Sequence, residues 1–184
     1  MVYNTYHILR RFIKMAIEKA AYKVILKEDP FEIRNYEPMI IAVSQETDLR
    51  GSTGFNTLFN YISGANQESK KISMTSPVLN NLDEQTLTTA FIMPKEYDLE
   101  NLPQPSNSNL HLKKIPKRQV AVIIFSGNID SSKINQKKDQ LKGWLIEKQL
   151  TPIGPIELAR YNPPFIPGFL KRNELLIEIQ PIRD

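Results

Sequence analysis

Glu174 stands at the head of the last strand-like run, four residues after the end of a stretch rich in apolar side chains. A carboxylate so placed can hold a cationic ligand or act as a base. The stretch before it, residues 163–170, sets Phe165, Ile166, Phe169 and Leu170 among three prolines and a glycine, where a surface loop is ordinarily polar. Such side chains either close the end of a barrel or line a binding groove. Lys171 and Arg172 follow at once and suit the carboxylates of an apolar ligand as well as they suit a solvated turn. Arg160 and Tyr161 precede Asn162-Pro163, a pair that initiates a turn, so their expected role is structural.

Other chemistry finds little support. The chain has no cysteine, which removes disulfides, thiolate metal sites and cysteine nucleophiles. Its two histidines, His7 and His111, lie far apart in sequence, which argues against a tuned zinc site. His111 alternates with Leu110 and Leu112 and is predicted to point to solvent. Met74 alternates with Ile72 in a strand pattern and reads as core filling, as do Met39 and Met93. His111 and Met74 are thus the candidate metal ligands, each with a structural reading beside it. There is no Gly-x-Ser-x-Gly elbow, P-loop or dinucleotide fingerprint. The pattern points to binding and not to an enzyme.

With 184 residues the chain suits one domain that buries a core without staples. Of the formal net charge of +4, residues 1–21 supply most, through Arg10, Arg11, Lys14 and Lys19 against Glu18. The remainder is nearly neutral, without the basic stripe and interleaved aromatics of a nucleic-acid binder, so no nucleic acid is expected. No apolar run approaches the ~20 residues that span a bilayer. Arg10, Arg11 and Lys14 also interrupt any signal-peptide centre. The expectation is a soluble, cytoplasmic protein.

Residues 1–21 read as an amphipathic helix: Ile8, Leu9, Phe12, Ile13, Ala16 and Ala20 recur at three- and four-residue intervals opposite a basic face. Packed on the domain it is structural; laid on a membrane surface, residues 6–20 make a peripheral contact. Residues 22–184 follow as one domain with halves 22–93 and 110–180. The pattern strand, strand, helix, strand, strand occurs twice. The first half predicts strands over Tyr22–Lys27, Phe31–Ser44, Lys71–Val78 and Leu87–Met93, with a helix over Thr53–Ser63. The second predicts strands over Leu110–Ile115, Val120–Ser126, Glu157–Tyr161 and Glu174–Ile179, with a helix over Ser131–Gln149. Gly51-Ser52-Thr53 and Asp130-Ser131-Ser132 supply cap residues, and Gly64 can close the first helix. Gly143, inside the second, costs ~1 kcal/mol relative to Ala, which a close contact would explain. Residues 94–109 form a polar, proline-rich connector. Neither half buries its apolar faces alone.

Several segments carry a resemblance beyond these patterns: Lys71-Lys-Ile-Ser-Met-Thr-Ser-Pro-Val, Ala159-Arg-Tyr-Asn-Pro-Pro164 and Lys171-Arg-Asn-Glu-Leu175. Phe31-Glu-Ile-Arg-Asn-Tyr-Glu-Pro38, Tyr61-Ile-Ser-Gly-Ala-Asn66 and Val120-Ala-Val-Ile-Ile-Phe-Ser-Gly127 support it. In this order the chain resembles the SOUL family of haem-binding proteins over about residues 22–180. The resemblance implies an α+β fold: a distorted antiparallel β-barrel with two helices and a pseudo-twofold axis, similar to the gyrase-inhibitor-like effector-binding fold. It implies reversible binding of haem or another porphyrin, as buffer or carrier, in a shallow apolar cleft between the first helix and the loop before the last strand. Here that cleft comprises Phe55, Leu58 and Phe59 with Phe165, Ile166 and Phe169, and Lys171 and Arg172 meet the propionates. Some family members carry a histidine where this chain has Asn35, so no imidazole ligates iron at that place. The thioether of Met74 and the imidazole of His111 are the remaining axial candidates. The alternative is a small-molecule effector-binding module, weakly hydrolytic or not, in which Glu174 faces a cationic ligand.

Overall fold

The computed structural model describes residues 17–46, 52–82 and 87–182. In chain order they form β1 (Glu18–Lys19), β2 (Tyr22–Glu28), β3 (Phe31–Tyr36), β4 (Met39–Gln45), α1 (Ser52–Ile62), β5 (Thr75–Ser76), β6 (Val78–Asn81) and β7 (Thr88–Ile92). The second half adds β8 (Leu110–Ile115), β9 (Arg118–Ser126), α2 (Ser131–Glu147), β10 (Pro152–Arg160), a 3-10 turn (Gly168–Leu170) and β11 (Arg172–Ile179). Nine strands make one sheet in the order β2-β3-β9-β11-β10-β6-β7-β4-β8, every neighbour antiparallel.

The order exposes a repeat. β4-α1-β6-β7 and β9-α2-β10-β11 are equivalent units, and their strands lie as mirrored triplets that meet where β10 pairs β6. The strand before each unit crosses to the other: β3 pairs β9, and β8 pairs β4. Each crossing turns at a two-residue corner containing proline, Glu37-Pro38 or Pro116-Lys117. Pro38 therefore divides what the pattern predicts as one strand over 31–44, since its ring removes the N–H a continuing ladder needs. Pro77 likewise separates β5 from β6. This exchange is why neither half is complete alone.

Packing shows how the sheet bends. Tyr22 and Tyr36, at one end of the strand order, share a cluster with Met39, Ile41 and Ile115, at the other. The sheet therefore curls into an antiparallel half-barrel whose inner face also carries Val120, Val122, Ala159 and Leu176. The outer face is covered by the helices. α2 lays Ile134, Leu141, Trp144 and Leu145 on Ile123, Phe125, Leu175 and Ile177, and α1 lays Leu58, Tyr61 and Ile62 on Ala42, Phe91 and Leu110.

Helix ends differ in how they are satisfied. Asp130 caps α2 by accepting from the Lys133 amide at 2.8 Å. In α1 the amides of Thr53 and Gly54 donate instead to the carboxylate of Glu46, at 3.1 and 2.9 Å. An anion at the positive end of a helix is favourable. Gly54 lets it approach: a Cβ there would stand 2.9 Å from Glu46 Oε2 and 3.0 Å from the Gln45 carbonyl. Gly54→Ala is expected to lower the unfolding midpoint in urea. Gly143 is the reverse case: among the described residues, apart from its chain neighbours and the surrounding helix backbone, no atom lies within 4 Å of its missing Cβ, so the expected close contact is absent. Gly143→Ala should stabilise the protein by up to ~1 kcal/mol, read as a higher urea midpoint at unchanged slope.

Two further expectations change. The predicted N-terminal helix falls largely outside the described residues, and its last part is not helical. Glu18 and Lys19 pair in parallel with Thr75 and Ser76, and Glu18 accepts from the Lys95 amide at 2.9 Å. Backbone groups at an open strand edge have drawn the segment into extended form. The connector 94–109 is also anchored: Leu102 is buried, and the Pro103 carbonyl accepts from the Tyr61 hydroxyl at 2.6 Å.

Candidate functional site

The segment linking β10 to β11 holds a fixed shape through its own hydrogen bonds. Asn162 Oδ1 accepts from the Arg172 amide at 2.7 Å, closing the base. The Ile166 amide donates to the Pro163 carbonyl, and the amides of Leu170 and Lys171 to the carbonyls of Pro167 and Gly168. Gly168 lies against Asn128, whose Oδ1 would be 3.0 Å from a Cβ. This shape turns apolar side chains outward: Phe165 is 82% exposed, Phe169 77% and Leu170 62%. Ile166 is half-buried. Of the two readings of the loop, closing a barrel end is thereby set aside, since these side chains are not packed inward. Lys171 donates to Asn128 Oδ1 at 3.3 Å on the surface.

Arg172 has a different fate. Its Nε and Nη2 donate to Glu174 Oε1 at 2.9 and 2.5 Å, and its guanidinium lies 5.0 Å from the Tyr161 ring centroid. Glu174 is fully buried on the inner face of the curl. It receives five hydrogen bonds: two from Arg172, two from Arg34 (2.7 and 3.0 Å) and one from the Tyr161 hydroxyl (2.9 Å). Arg34, also fully buried, donates in addition to Glu32 at 2.7 Å and stacks 4.3 Å from the Tyr22 centroid. The two arginines balance Glu32 and Glu174. The carboxylate considered as a receptor for a cationic ligand is thus occupied by the chain's own cations.

The electrostatics follow from this geometry. Burial alone would raise the Glu174 carboxyl, but Arg34 and Arg172 together hold it below the usual carboxylate range. Burial pushes the Tyr36 hydroxyl up to about 12 and the Tyr161 hydroxyl further, so both are protonated and Tyr161 is a donor, not a phenolate. A carboxyl depressed in the folded state contributes stability that is complete above its ordinary value of 4.5 and is lost as pH falls through the lowered folded value. Thermal midpoints should hold steady above that pH and decline below it, with a shallower decline in Glu174→Gln.

The remaining predicted residues do not gather at the loop. Leu58 is wholly within the core under α1, and Phe55 packs edge-on against Phe91 at 5.1 Å. Phe59 is 49% exposed. His111 is exposed on β8, opposite Val43, and Met74 packs against the α1 cluster. Asn35 accepts from Gln119 at 2.9 Å. Sequence reasoning missed Glu32, Arg34, Tyr36 and Tyr22. The available signal was the run Glu32-Ile-Arg34-Asn-Tyr36, which alternates ionisable with other side chains in a strand that must pair on both edges. Among the described residues no cluster of three metal-ligating side chains occurs, and no helix is long and apolar enough to cross a membrane.

Comparison with known proteins decides the family. The model of the SOUL heme-binding proteins matches residues 17–178. The chain belongs to the SOUL family. Curated relatives of this SOUL chain include Heme-binding protein 2 of Mus musculus, 30% identical over 67% of the chain and 66% of the relative. Heme-binding protein 2 of Homo sapiens is 30% identical over 59% of the chain and 57% of the relative. The SOUL chain thus spans somewhat under two thirds of the length of these relatives. Its fold is also that of the EcmrR C-terminal domain, with a TM-score of 0.60 at 11% identity over 88% of this chain and 99% of that one.

Proposed function

We propose that this SOUL-family chain binds haem reversibly on the apolar shelf of the 163–170 loop and serves as a cytoplasmic buffer or carrier. The observation that carries the reading is the outward display of Phe165, Phe169 and Leu170 on a loop whose hydrogen bonds fix it in advance. Large apolar side chains held in water favour a ligand with an extended apolar surface. A preformed site also loses little ordering entropy on binding.

The residues present fit the porphyrin better than they fit the iron. Phe165, Ile166, Phe169 and Leu170 would hold the macrocycle, and the surface ammonium of Lys171 would meet a propionate. Residues 163–172 contain no histidine or methionine, and the Tyr161 hydroxyl is committed to Glu174. Bound haem would supply an apolar plane with two carboxylate tails and an iron for which the loop provides no imidazole or thioether. Capture through hydrophobic contact suits loading and release better than catalysis.

Adding hemin to the apo-protein and following the Soret band tests this. A saturable shift at micromolar protein is expected, and a spectrum identical to free hemin would refute the reading. The effector-module alternative loses support from the pairing of Glu174. Stabilisation of the wild-type protein by cationic drug-like compounds and not by porphyrins would restore it.

A further inference from the structure

We infer that the 163–170 loop docks on an anionic lipid bilayer, with Phe165, Phe169 and Leu170 entering the interface and Lys171 and Lys133 meeting the headgroups. The inference stands apart from haem, and it concerns a surface other than residues 6–20.

Three observations support it. The first is the apolar tip. Phe165, Phe169 and Leu170 project largely exposed from one short loop, and residues 160–173 contain no acid to oppose their entry. Phenylalanine and leucine are side chains that settle at the boundary between headgroups and acyl chains. The second is the backbone. Polar groups that leave water must find partners elsewhere. Pro163, Pro164 and Pro167 have no N–H, and the amides of Ile166, Leu170 and Lys171 already donate to carbonyls of the same loop. A planar ligand resting on side chains makes no such demand, whereas a bilayer that receives the tip does.

The third is charge. Lys171 follows the tip, and its ammonium donates to Asn128 Oδ1 at 3.3 Å. The Lys133 ammonium lies over Gly127, in the space that a side chain there would fill. Gly127 is tied to the base of the loop, since its carbonyl accepts from Asn173 Nδ2 at 2.9 Å, and Asn128 packs on Gly168. The two ammoniums therefore flank the 127–128 turn that supports the tip. Neither pairs with a carboxylate among the described residues. The neighbouring acids are engaged, Asp130 with the Lys133 amide and Glu174 with Arg34 and Arg172. A basic collar behind an apolar tip suits an anionic surface, each cation contributing roughly 5-fold in affinity.

The test is sedimentation of the full, haem-free chain with phosphatidylcholine vesicles, with and without phosphatidylserine, so its outcome is separate from that of the hemin titration. Wild type should favour the anionic vesicles, less so as salt is raised. Phe165→Ser with Phe169→Ser should weaken partitioning at least ~10-fold. Lys133→Ala with Lys171→Ala should remove most of the preference for phosphatidylserine. Insertion has its own readout: Phe169→Trp, at an exposed position, should emit further to the blue on vesicles and be quenched by lipids brominated in their acyl chains, beyond any quenching of the wild-type Trp144. Replacing Arg10, Arg11 and Lys14 by Ala in the Phe169→Trp chain should leave that quenching in place. Loop variants that partition as wild type does, or a Phe169→Trp chain quenched no more than wild type, would overturn the inference.

Discussion

Arg34→Met is expected to destabilise the protein by about 3–5 kcal/mol, because it takes from buried Glu32 the cation it pairs with and leaves buried Glu174 with only the half-exposed Arg172. Arg34 contacts both carboxylates and the Tyr36 hydroxyl, so its loss strands several groups at once. For a chain of this size the melting temperature should fall by roughly 6–20 °C. The origin of the loss is testable. If unpaired charge is responsible, Arg34→Met with Glu174→Met should recover much of the stability, since a buried pair replaced by apolar side chains is often neutral. A double variant as unstable as the sum of the single ones would show that shape, not charge, sets the effect.

Phe165→Ser with Phe169→Ser should produce the largest change in ligand affinity. Each aromatic presents an area of roughly 150–250 Å² when covered. A planar ligand covers one face of each, so about 1 kcal/mol apiece is reasonable, and together roughly 30-fold in Kd. Both side chains are more than three-quarters exposed, so the unfolding free energy from urea titration should change by less than ~0.5 kcal/mol. Lys171→Ala should weaken hemin binding less, in a salt-dependent manner, as exposed ion pairs contribute under ~1 kcal/mol. His111→Ala should leave the Soret titration unchanged, since His111 is exposed on the edge strand β8. Loss of the Soret shift in His111→Ala, with normal binding by the loop variants, would place the ligand elsewhere.

Much of the fold is legible in the sequence because its periodicities are local. The two helices follow from the spacing of Phe55, Leu58, Phe59 and Ile62 and from Ile134, Leu141, Trp144 and Leu145. The strands of the repeat follow from alternation and from prolines. What alternation does not carry is partnership. That β3 crosses to β9 and β8 to β4 is decided by the curl of the whole sheet, and residues 34 and 174 meet only because of it. Glu174 read alone is an acid at a strand end awaiting a ligand, whereas its five donors come from three other positions. The α1 cap shows the same limit, since Glu46 binds the amides of Thr53 and Gly54 from seven and eight residues away, a separation that hydroxyl-capping rules do not cover. The loop 163–170 is legible for the opposite reason: its composition departs from that of a solvated loop, and among the described residues Phe165 and Phe169 stay largely exposed.

The placement of the porphyrin is tested most directly by residue-resolved NMR. A diamagnetic zinc protoporphyrin added to ¹⁵N-labelled protein should shift the amides of Phe165, Ile166, Gly168, Phe169, Leu170 and Lys171 first and most. The amides of His111 and Met74 should stay in place. Shifts confined to β8 around His111, or to the strand ends near Met39 and Met93, with the 163–170 amides unmoved, would contradict the account.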